Sequence, residues 1–110
     1  MRDARIFKTM KTVIETPTFE KQSRKIWSED ERLDFISWIS VNSTEGDVIP
    51  GSQGLRKVRW SGSQSGKRGG VRVVYFNQDE QGVIYLLTVY SKSKKENVTN
   101  NELKQIKKEI

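Results

Sequence analysis

Residues 54–75 read GLRKVRWSGSQSGKRGGVRVVY. Two runs that mix apolar with basic residues, 55–60 and 71–76, flank a segment of Ser, Gly and Gln that ends in Lys-Arg, a pattern that predicts two strands joined by a loop. Side chains alternate along a strand, so Lys57 and Arg59 project to one side of the sheet while Val58 and Trp60 project to the other. In the second strand Val71, Val73 and Tyr75 share one face and Arg72 takes the opposite one. The stretch holds six basic residues, Arg56, Lys57, Arg59, Lys67, Arg68 and Arg72, and no acidic one. Positive charge is therefore carried on a rigid scaffold, and its natural partner is a polyanion.

Downstream, NQDEQG at 77–82 is rich in turn formers and leads into a third strand over 83–90, which completes an antiparallel meander. Unbroken alternation there would give Tyr90 and Lys92 the parity of Leu86 and Thr88. The tail NNELKQIKKEI from Asn100 offers an Asn cap and apolar Leu103, Ile106 and Ile110, the pattern of a short C-terminal helix. Upstream, the Gly-, Ser- and Pro-rich segment 42–54 reads as a loop. Before it, Ser28 with Glu31 three residues on forms a capping box, and Glu29, Asp30 and Glu31 place negative charge in the first turn of a helix running to about Val41. Thr18 is the expected cap of an earlier helix reaching residue 26, and Met10–Thr16 reads as a first strand ended by Pro17. The order β-α-α-β-β-β-α predicts one α+β domain over residues 10–110, with helices covering one face of a mainly antiparallel sheet, and residues 1–9 as an N-terminal extension.

Composition narrows the chemistry. Of the net charge of +6, residues 1–50 contribute −1 and residues 51–110 contribute +7, so the basicity belongs to the second half. The chain has no Cys and no His, which excludes disulfides, thiolate or imidazole metal sites and any imidazole acid–base pair. No cofactor is expected. No apolar run approaches the roughly 20 residues that span a bilayer, and the beginning of the chain lacks the apolar core of a signal peptide, so the expected location is cytoplasmic, without a membrane partner.

Each basic feature has a plain reading beside the functional one. Arg72 could be a strand residue whose stem packs while its head reaches solvent or a carboxylate. A half-buried guanidinium needs a counter-charge, however, and the preceding strand offers Lys57 and Arg59 rather than acids, so a bound phosphate would resolve the conflict. The GKRGG loop at 66–70 lacks the spacing of a Walker A loop; it is either a solvated turn or a means for Lys67 and Arg68 to reach around a sugar–phosphate backbone. The lysines of SKSKKEN, Lys92, Lys94 and Lys95, suit a solvated strand end, although Lys92 follows Tyr90, which could stack on a base. Trp60 and Tyr75 read as core residues.

Taken together, GDVIPGSQGLRKVRW, GKRGGVRVVYF and IYLLTVYSK, in this order and spacing, resemble the HigB-like branch of the RelE/ParE toxins of bacterial type II toxin–antitoxin systems. The resemblance covers residues 10–110 and implies a RelE-like microbial RNase fold. It also implies a ribosome-dependent endoribonuclease that cuts mRNA in the 30S A site without a metal, by 2′-OH attack that leaves a 2′,3′-cyclic phosphate. By the same resemblance Lys57, Arg59, Arg72 and Lys92 are the candidate catalytic residues, joined by Tyr90 for acid–base work, and the surrounding basic residues Arg56, Lys67, Arg68, Lys94 and Lys95 are expected to bind RNA. Lys57 matches the base or transition-state stabiliser, Arg72 the arginine that grips the scissile phosphate, and Lys92 stands where RelE has an arginine; Val98 replaces RelE's C-terminal tyrosine. The implied partners are the ribosome, mRNA and a cognate HigA-like helix-turn-helix antitoxin, with operator DNA bound only through the antitoxin complex. Two other readings share these features: a ParE-like inhibitor of DNA gyrase, and a non-catalytic RNA-binding module.

Overall fold

The computed structural model describes residues 10–61, 70–92, 95 and 97–110. Five strands, β1 (Thr12–Glu15), β2 (Asp47–Val48), β3 (Leu55–Trp60), β4 (Val71–Gln78) and β5 (Val83–Ser91), and three helices, α1 (Pro17–Ile26), α2 (Glu29–Ser40) and α3 (Asn100–Lys107), make an α+β fold. The sheet order is β1-β5-β4-β3-β2. β5, β4, β3 and β2 pair antiparallel, while β1 returns beside β5 in parallel. None of the described helices is long and apolar enough to cross a membrane.

The central meander forms where the alternating pattern predicts it, with β4 and β5 running one or two residues further than expected. A 3-10 turn at Asp79–Gln81 closed by Gly82 at φ 64° joins them. α2 starts at Ser28 with both halves of its capping box made. Two caps differ from expectation. Thr16, not Thr18, caps α1, because Pro17 suits the first helical position, where a missing N–H costs nothing. Thr99, not Asn100, caps α3, because Glu102 three residues on completes a capping box with it. The segment expected to be a loop also holds β2, a two-residue edge strand too short to show a period.

The two faces of the sheet carry separate cores. α1 and α2 bury Phe19, Trp27, Phe35 and Ile39 against Val58, Val71, Val73, Tyr75, Ile84, Leu86 and Val89. Aromatic rings pack in series: Trp27 lies tilted 5.3 Å from Phe35, and Phe35 meets Trp60 of β3 edge to face at 5.5 Å. α3 packs on the other face, where Leu103 and Ile106 meet Leu55, Val74, Leu87 and Tyr90. The helices therefore do not all lie on one face, because α3 has its own apolar stripe to bury. The face left to α3 is only partly covered by one short helix.

β5 does not alternate without interruption. Tyr75 faces Leu86 and Val74 faces Thr88, so Leu87 is an extra residue in the strand. This β-bulge reverses the parity of everything beyond it. Leu86 lies in the α1/α2 core while Tyr90 lies in the α3 core, which corrects the shared parity expected for these residues.

Candidate nucleic-acid interface

The bulge decides which side chains meet. On the α3 face, the register sets Arg59 opposite Arg72 and Arg72 opposite Tyr90, one row across three strands. The next row runs from Asp47 through Lys57 and Val74 to Thr88. Directly opposed residues on one face of an antiparallel pair stand roughly 5 Å apart at Cβ, and like charges so placed repel. Arg59 is exposed, and Lys57 and Arg72 are half-buried. Two guanidinium-bearing residues and a lysine on adjacent strands thus form a cationic strip at the rim of the uncovered face.

The strip is braced from α3's side. Lys57 donates from Nζ to Asn97 Oδ1 at 3.0 Å, which holds the ammonium toward the segment that leads into α3. Lys95 pairs with Glu102 of α3, and this bond holds the Glu102 carboxyl below the usual carboxylate range. Tyr90 is 6% exposed, and its hydroxyl has no hydrogen-bond partner among the described residues. Burial raises its pKa, while nearby Arg72 pulls it down and Glu102 pushes it up. At neutral pH it is a neutral phenol, a hydrogen-bond donor and not a base.

The residues singled out from the sequence divide into four groups. Lys57, Arg59, Arg72 and Tyr90 share one face of the sheet, and Lys95 lies close by against α3. Lys92 is exposed in the turn just after β5. Arg56 is placed apart, in correction of its grouping with the others: it lies on the α1/α2 side of β3, where Nη1 donates to the carbonyls of Gly46 at 2.7 Å and Thr44 at 3.3 Å. Its work is to brace the turn before β2. Lys67, Arg68 and Lys94, like residues 1–9, which the sequence reading set apart, lie outside the described residues.

Sequence reasoning missed four neighbours of this face. Asp47, Asn97 and Gln22 carry no local signal, since each acts across a long sequence separation. Glu102 could have been found, because Thr99-x-x-Glu102 is a capping box. Gln22 reaches from α1 to the bulge: its Oε1 accepts from the Val89 backbone N–H at 3.0 Å and from the Thr88 hydroxyl. Among the described residues there is no group of three or more His, Cys, Asp or Glu side chains that could hold a metal ion.

With this geometry in hand, comparison with known proteins is specific. A family model described as the RelE toxin of the RelE / RelB toxin–antitoxin system matches residues 4–109. Among solved structures, an arginine-to-alanine double mutant of the E. coli toxin RelE in the free state is similar at 16% identity, with 92% of this chain and 94% of that one covered and a TM-score of 0.59. The intact E. coli RelBE toxin–antitoxin complex contains a chain that is 20% identical, covering 72% of this chain and 93% of that one, with a TM-score of 0.53.

Proposed function

The chain belongs to the RelE toxin family, and on that premise we propose that it is the toxin of a type II toxin–antitoxin system, of the HigB-like branch, and an endoribonuclease that cuts mRNA in the ribosomal A site. The observation that carries the chemistry is the Arg59–Arg72 pair: two like charges set face to face across adjacent strands, with Lys57 two residues along on the same side. A phosphate between them turns mutual repulsion into attraction, and most strongly when it carries the extra charge of a pentacoordinate transition state. The 2′-OH of the RNA attacks the neighbouring phosphorus, the P–O5′ bond breaks, and a 2′,3′-cyclic phosphate and a 5′-OH result. Arg72 and Arg59 hold the phosphate oxygens, and the Lys57 ammonium, fixed by Asn97, stabilises the phosphorane, while solvent water takes the 2′-OH proton and returns one to the departing O5′. Lys92 attracts the flanking backbone, while Lys95 is paired with Glu102.

The partner on this reading is a cognate HigA-like antitoxin with a DNA-binding helix-turn-helix. It neutralises the toxin by denying RNA the cationic strip. The test is to map the 5′ ends of cellular mRNA after brief induction. In-frame cuts within translated codons are expected, and they should vanish in Lys57→Ala and Arg72→Ala, with growth restored and antitoxin binding kept. An unchanged transcript map together with a DNA-damage response would move the protein to gyrase inhibition. Full toxicity in both variants would remove the strip from the mechanism.

A further inference from the structure

Beside the cationic strip, the end of β5, the middle of α1 and one side of α3 enclose a cleft of about 260 Å³. Tyr90 lines it, almost wholly buried yet with a hydroxyl that no protein group satisfies among the described residues. A buried polar group left unpaired carries a free-energy penalty that a bound ligand can remove. Among the other polar walls, the Thr18 and Thr88 hydroxyls already donate to Glu109 and Gln22, and Lys95 is paired with Glu102, which leaves three carboxamides. Asn101 and Gln105 stand four residues apart, hence on one side of α3. Gln22 faces them from α1, its oxygen already committed to Val89 and Thr88, which fixes the amide plane and leaves the NH2 as the available donor.

We propose that this cleft receives one nucleobase of the RNA whose phosphate lies between Arg59 and Arg72, so that the protein reads a base beside the bond it cuts. The inference rests on the phosphate reading above and adds base recognition to it. Three features choose this occupant. The volume lies below the roughly 300–1,000 Å³ of pockets for drug-sized ligands, which suits a single planar ring system and not a peptide. The one charged pair in the walls, Lys95 with Glu102, neutralises itself, so the cleft selects a neutral polar group. Carboxamides and a hydroxyl flanked by Val98 and Ile106 match the edge and faces of an unstacked base, the form in which RNA sequence is read. Arg72 and Tyr90 are direct cross-strand partners, so phosphate and base sites adjoin.

The experiment titrates the full chain at low salt with the four ribonucleoside 5′-monophosphates and with ribose 5-phosphate as the base-free probe. At least one nucleotide should bind about tenfold tighter than ribose 5-phosphate, and the four should differ from one another. In Gln105→Leu and Asn101→Leu, both at exposed helical positions, the spread should shrink by about fivefold, the worth of one hydrogen bond, with ribose 5-phosphate affinity unchanged. Equal binding of all five probes, or an unaltered spread in both variants, would overturn the cleft assignment alone. Failure of ribose 5-phosphate to bind, or binding that Arg72→Ala leaves intact, would sink the phosphate reading and this inference with it.

Discussion

Tyr75 shows how one side chain ties the cationic strand to the turn before it. It is fully buried, and its hydroxyl accepts from Gly46 N–H at 2.9 Å and donates to Ser43 C=O at 2.8 Å. Tyr75→Phe leaves both backbone groups unmet, and we expect a loss of about 1–3 kcal/mol in denaturant unfolding. Gly46→Ala should be at least as damaging, because a Cβ there would sit 2.7 Å from the Tyr75 hydroxyl and 3.0 Å from the Lys57 carbonyl. Burial raises the Tyr75 pKa above its ordinary 10.0. The unfolded chain then loses that proton first, so the contribution is whole below pH 10 and disappears as pH rises through the raised folded value. The wild type should therefore lose stability on titration above pH 10 more steeply than Tyr75→Phe, as followed by the denaturant midpoint.

At the scale of elements, the start of α2 was legible to the residue, those of α1 and α3 to within two residues, and the bulge was not. Ser28 and Glu31 form their capping box from residues three apart, within reach of any local reading, and Ser28→Ala should cost about 1 kcal/mol of stability. The strands of the meander were legible for the same reason, since residues 57–60 alternate basic with apolar. The bulge at Leu87 depends on what lies across from it. Gln22, 67 residues away from Val89, satisfies the amide there. Gln22→Leu should strip that partner and cost about 1–3 kcal/mol, with faster hydrogen exchange at the Val89 amide. Gln22→Glu keeps an acceptor and should retain most of the protection. Exchange that is equal in wild type and Gln22→Leu would show that the bulge holds without it.

For the whole molecule the governing quantity is a net charge of +6 concentrated in the second half of the chain, which folds into β3, β4, β5 and α3. RNA binding should weaken linearly in log–log plots against salt, and Arg59→Ala or Arg72→Ala should each reduce the slope by about 1. Arg56→Ala should leave the slope unchanged and lower stability instead, because its guanidinium is spent on the Thr44 and Gly46 carbonyls. The C-terminal end of α3 is attached across the molecule on two sides: Glu109 accepts from the Thr18 backbone N–H at 3.0 Å, and Lys107 reaches Gln53 Oε1 at 2.9 Å. Its position on the cationic face, and not beside α1 and α2, is what converts an open sheet into a strip with an adjoining cleft.

The fold class, the elements of the meander and the common face of Lys57 and Arg59 follow from local order along the chain, because propensity, capping and period-two alternation act over a few neighbouring residues. Only the folded chain shows that Tyr90 shares their face and that Asn97 and Gln22 belong beside them. Those placements depend on a bulge, on cross-strand register and on the docking of α3, which bring together residues from distant parts of the chain and leave no periodic trace in it.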